Sequence, residues 1–102
     1  MIDNQHTPPI ESALVRRLLG GEFALTAEIT PPVSAGSAEL LSKTAPLSSL
    51  VDAVNVTDGA SARVHLSSLI SAGILKANGI EPIVQFTCRD RNRIALISDL
   101  LG

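Results

Sequence analysis

The stretch DAVNVTD, residues 52–58, decides the fold. Its β-branched residues alternate with small or polar ones, so Val54 and Val56 share one face of a strand while Ala53, Asn55 and Thr57 share the other. The run then breaks into Gly59, where a loop must begin. Working outward, the same unit occurs upstream in FALTAEIT (23–30) and downstream in EPIVQFTC (81–88). The corresponding positions Glu28, Thr57 and Gln85 recur 29 and then 28 residues apart, the length of a βα repeat of roughly 30 residues.

Helical periodicity fills the gaps. SAELLSKTAPLSSL (37–50) is interrupted by Pro46, ARVHLSSLISAGILKANG (62–79) closes at Gly79, and DRNRIALISDLLG (90–102) starts behind a predicted N-cap at Asp90. Ahead of the first strand, a polar leader ends at Pro8-Pro9, and Ile10, Leu14 and Leu18 mark a short lead-in helix that stops at Gly20-Gly21. The expected organisation is a leader and lead-in helix over 1–21, then three βα units over 22–102. Strands alternating with helices imply a parallel sheet with right-handed crossovers.

The 102 residues suffice for one core, with 45% hydrophobic against 18% charged residues. A net charge of −2 and 2% aromatics offer neither a field for a phosphate backbone nor a stacking platform, so nucleic-acid binding is not expected. No apolar run approaches the roughly 20 residues of a membrane span. Cys88 is the single cysteine, and MIDNQHTPP has neither the basic start nor the apolar stretch of a signal peptide, so a cytoplasmic setting is expected.

Strand parity points to a site. Leu25, Ala27 and Ile29 oppose Thr26, Glu28 and Thr30, and Val84, Phe86 and Cys88 oppose Ile83, Gln85 and Thr87. Each strand has one apolar face for helices and one face that turns polar toward its carboxyl end, where α/β folds place ligands. A carboxylate at Glu28 suits general acid–base work; the alternative is a solvated rim residue or a partner for an arginine of the RDRNR run. Prolines 31 and 32 end its strand. Thr57, Asp58, Gly59 and Ala60 form a small-residue loop that a flat ligand could approach closely, or an ordinary turn. Gln85 can donate and accept to a heterocycle edge, or be satisfied by neighbours. In TCRDRNR the arginines are expected to spread around the first turn of the last helix rather than build a phosphate site. Cys88 is expected to pack, and His6 and His65 lack partners at metal-ligand spacing, so no metal site is expected.

The combination of AEITPP, VDAVNVTDGASAR and GIEPIVQFTCRDRNRIALISDLLG resembles the N-terminal part of methylenetetrahydrofolate reductases, in the bacterial branch that carries TCRDRN. The resemblance runs from about Phe23 to Gly102. It implies a (β/α)₈ TIM barrel with FAD on its C-terminal face, reduced by NAD(P)H and passing the electrons to 5,10-methylenetetrahydrofolate to give 5-methyltetrahydrofolate. Glu28 matches the family's general acid in E-x-x-P-P. Thr57 matches the threonine at the nicotinamide and flavin site, and Asp58 and Ala60 match flavin-contacting positions. Gln85 stands where many members have a flavin-contacting histidine. A complete barrel needs eight units and about 250 residues, so the chain is expected to be an N-terminal segment, inactive alone, acting as a homo-oligomer or completed by a further C-terminal part. A competing expectation is a non-catalytic α/β remnant or subunit that pairs with a partner chain.

Overall fold

The computed structural model describes residues 12–102. The leader with Pro8-Pro9, His6, and the first helix position expected at Ile10 lie outside the described residues. Helix α1 (Ala13–Leu19) is followed by strand β1 (Thr26–Ile29), α2 (Ala38–Thr44), β2 (Ala53–Val56), α3 (Ser68–Ala77), β3 (Pro82–Val84) and α4 (Arg93–Leu101). The three strands form one parallel sheet in the order β1-β2-β3. Glu28 lies opposite Asn55 and Asn55 opposite Ile83, while Ile29, Val56 and Val84 make the next row. This is the mixed α/β, parallel arrangement that the repeat spacing predicts.

The helix-packed face is the apolar one. Ile29, Val54 and Val56 are buried with Leu40 of α2, Leu75 of α3 and Ile80, and Leu41, Leu47, Val51, Leu66 and Ile74 pack around them. Burying a side chain of this size contributes about 1.5–3 kcal/mol, so this cluster sets the strand register that positions the opposite face. α1 is held differently. None of its residues is buried, and its N-terminus is tied to the sheet by Glu81, whose carboxylate accepts from the Ser12 hydroxyl, from the Ala13 N–H at 2.8 Å and from the Leu14 N–H at 3.4 Å. Arg17 pairs with Asp52 at 2.6 Å at the same end. Two clefts also lie at this N-terminal end, lined by residues such as Ser12, Lys76 and Glu81.

Several boundaries differ from those expected, each for a local reason. α2 ends at Thr44 and continues only as a 3₁₀ turn over Ala45–Leu47, because Pro46 has no N–H and its ring collides with the carbonyl one turn back. α3 begins at Ser68 rather than Ala62. The Ser67 hydroxyl caps it by accepting from the Ile70 N–H, and the preceding residues are engaged elsewhere: the Leu66 N–H donates to the Pro32 carbonyl at 2.8 Å. β3 is only three residues long. Pairing continues through the Gln85 N–H to the Val56 carbonyl at 3.1 Å, but the Thr87 N–H donates to the Asp58 carboxylate at 2.8 Å instead of to a neighbouring strand.

The N-cap of α4 is Asn92, not Asp90. The Asn92 side chain accepts from the Ala95 N–H at 2.8 Å, while the Asp90 carboxylate is taken by Arg89. Cys88, expected to pack, is an exposed free thiol, because the strand that would have turned it inward has ended at Val84. Val84 is itself 39% exposed on the sheet edge.

Candidate functional site

The polar ends of the strands converge. Glu28 is the penultimate residue of β1, three positions ahead of the buried pair Pro31 and Pro32. Across the sheet, the Asn55 amide Nδ2 donates to Glu28 Oε1 at 3.0 Å, and the Gln85 amide Nε2 donates to the same oxygen at 3.1 Å. One carboxyl oxygen therefore accepts from β2 beside it and from the segment after β3, two strands away. Glu28 is exposed, as a rim position would be, but its partners are amides. Two arginines of RDRNR pair elsewhere: Arg91 with Asp58 and Asp99, Arg89 with Asp90.

Thr57 follows β2 directly and is 9% exposed. Its Oγ1 is buried and has no hydrogen-bond partner among the described residues. An unsatisfied buried hydroxyl costs about 1–3 kcal/mol, and this one lies at the carboxyl end of a parallel strand. The loop beyond is tightly wound. Gly59 adopts φ +59°, and Ser61 and Ala62 also sit in the left-handed region at φ 58° and 56°, a strain of about 1–3 kcal/mol per non-glycine residue that clusters at ligand sites. Ala60 is half-buried in this turn.

Two ties hold the turn. Asp58, half-buried, accepts from both terminal nitrogens of Arg91, from the Thr87 N–H and from the Thr87 hydroxyl at 3.1 Å. The Arg91 hydrogen bonds, ahead of a contrary push from burial, hold the Asp58 carboxyl below its ordinary range, and the same pairing raises Arg91 above its own. Arg91 also donates to the Thr87 carbonyl at 2.8 Å and lies 4.3 Å over the Phe86 ring, so it clamps the ends of β2 and β3 together. Phe86, assigned by parity to the helix-packed core, is instead half-buried under this guanidinium. On the other side His65 bridges the β1 and β2 loops, its Nδ1 at 2.9 Å from the Pro31 carbonyl and its Nε2 at 3.2 Å from that of Ala60.

Of the residues singled out by sequence, Glu28 and Gln85 are brought into direct contact. Asp58 and Ala60 lie in the adjoining turn behind Thr57. Asn55, Arg91 and His65 were missed as parts of the site; parity alone put Asn55 on the face of Glu28, and that was the available signal. The described residues contain no grouping of three or more histidine, cysteine or acidic side chains fit for a metal ion, and no helix among them is long and apolar enough to cross a membrane.

A family model for methylenetetrahydrofolate reductase matches residues 14–102. No curated protein and no solved structure matches the chain. With nearly the whole chain covered by that match, and its Glu28-centred strand ends arranged as described, the chain belongs to the methylenetetrahydrofolate reductase family.

Proposed function

We propose that the chain forms the first three βα units of a (β/α)₈ barrel that reduces 5,10-methylenetetrahydrofolate to 5-methyltetrahydrofolate with NAD(P)H and FAD, in cytoplasmic one-carbon and methionine metabolism. The observation that carries this reading is the carboxyl of Glu28, held by the Asn55 and Gln85 amides at the carboxyl end of a parallel sheet, in a chain of this family.

The residues present fit a flavin. Thr57 offers a buried hydroxyl in want of a partner, and the left-handed turn at Gly59 brings backbone rather than side chains to the strand ends. Thr57, Asp58, Ala60 and Gln85 would hold FAD, which when bound relays two electrons from the nicotinamide to the folate. Because the Asp58 carboxylate is committed to Arg91 and Thr87, Asp58 serves through its backbone. Gln85 spends one amide N–H on Glu28 and keeps its carbonyl oxygen as an acceptor.

The protein's own chemical step is proton delivery. Glu28 in its acid form gives its proton to N10 of the folate as the five-membered ring opens, leaving an electrophilic iminium carbon and a carboxylate that the two amides stabilise. The remaining strands of a barrel, in this chain's full context or from a partner, would enclose this face and exclude water from it.

A second reading is a non-catalytic α/β subunit. It is favoured by β1 and β3, which each leave one edge unpaired in the described sheet. Purification of the chain together with whatever completes its barrel separates the two: a yellow assembly with flavin absorbance that oxidises NAD(P)H with methylenetetrahydrofolate supports the reductase, and a colourless, inactive one supports the subunit. Thr57→Val adds a readout besides activity, since the reductase reading has flavin affinity fall while the apoprotein keeps or gains stability.

A further inference from the structure

We infer that Asn55 is a positioning residue for Glu28, acting with Gln85 to fix which carboxyl oxygen carries the proton. The inference rests on the acid role proposed above for Glu28 and extends it to a residue and an atom.

Asn55 occupies the middle of β2, flanked by Val54 and Val56, both 0% exposed. Its backbone is therefore fixed by the core on the opposite face. Asparagine is a poor strand former, so its place there is not explained by propensity, and the partner of its amide nitrogen is Glu28, its register neighbour on β1. Residues directly opposite on adjacent strands are about 5 Å apart, close enough for a short side chain to reach without an intervening water.

Both amides donate to Oε1, at 3.0 Å from Asn55 and 3.1 Å from Gln85. A protonated carboxyl has one acceptor oxygen and one O–H. A hydrogen on Oε1 would point at groups that are already donors, so in the acid form the hydrogen sits on Oε2, the oxygen away from the amides. After the proton leaves, the same two N–H groups stabilise the carboxylate without turning over. The acid is thus held in one orientation with a defined donor atom through the cycle, which is the preorganisation that proton transfer to N10 requires.

The test is made in the intact reductase by stopped-flow spectroscopy, following flavin reduction by NAD(P)H and flavin reoxidation by methylenetetrahydrofolate separately. Asn55→Ala and the near-isosteric Asn55→Leu, which keeps the shape and loses the donor, are each expected to slow reoxidation roughly 10-fold or more, with flavin reduction within about 2-fold of wild type. In a Glu28→Gln background, Asn55→Ala is expected to slow reoxidation no further, since Asn55 acts through the proton of Glu28. Wild-type reoxidation rates in both Asn55 variants overturn the inference while leaving the acid role in place. So does an Asn55→Ala effect of equal size in both backgrounds, which is the mark of a general structural role. Unchanged reoxidation in Glu28→Gln itself overturns the acid role, and the inference with it.

Discussion

The Asp58–Arg91 clamp is open to a quantitative test. In Asp58→Ala the carboxylate is lost, and with it the acceptor for Arg91, for the Thr87 N–H and for the Thr87 hydroxyl. The two charged side chains are 11% and 17% exposed, so solvent replaces little of what is removed. Breaking such a pair from one side costs about 3–5 kcal/mol. Arg91 keeps the Thr87 carbonyl, Asp99 at 3.6 Å and the Phe86 ring, which places the expected loss at the lower end, about 3 kcal/mol. In a barrel of about 250 residues that lowers Tm by about 6 °C or more.

Urea unfolding followed by far-ultraviolet circular dichroism measures the loss directly as a shift in midpoint at constant slope. The difference also depends on pH in a fixed direction. The folded Asp58 titrates below its ordinary value of 3.8, so its contribution is complete above the unfolded value and is lost as pH falls through the lower, folded one. Wild type and variant should differ fully at pH 7 and converge in acid. A variant within about 0.5 kcal/mol of wild type at pH 7, or a gap that does not narrow in acid, would refute the clamp.

Other consequences follow from single atoms. Ser71 on α3 is 0% exposed and its Oγ has no partner among the described residues, so Ser71→Ala should leave stability unchanged or raise it by about 1 kcal/mol; a loss of that size would mean the hydroxyl has a partner after all. Glu81→Ala strips α1 of its tertiary cap, and because α1 buries nothing, its amides should exchange with solvent roughly 10-fold faster while those of β2 do not change. Unaltered α1 exchange would count against the cap. The 102-residue chain by itself, with Ile94 at 78%, Leu100 at 74% and Leu101 at 83% exposed on α4 and both sheet edges open, should elute larger than a monomer and retain no stoichiometric FAD. A monomeric yellow preparation would contradict that.

Much of this architecture is legible in the sequence because the core is written as alternation. Val54, Val56 and Ile29 read as one face and are one face, and the recurrence of Glu28, Thr57 and Gln85 gave the strand ends. What escaped depends on groups distant in sequence. Ala62–Leu66 is apolar enough to continue α3, but His65 and the Leu66 N–H are drawn to the carbonyls of Pro31 and Pro32. Gln85–Cys88 has the composition of a strand, but the Asp58 carboxylate captures the Thr87 N–H and ends it. The choice of Asn92 over Asp90 as cap turned on Arg89 occupying the aspartate. Periodicity could place Asn55 and Glu28 on one face, whereas their contact needed the register.

The central claim, that Glu28 is the acid of a folate reductase, is tested most directly by Glu28→Gln in the intact enzyme. The measurement is the rate of flavin reoxidation by methylenetetrahydrofolate beside the rate of flavin reduction by NAD(P)H. Reoxidation should fall roughly 10²-fold or more with flavin content and reduction retained, because only the folate step needs the proton. Reoxidation at the wild-type rate would contradict it.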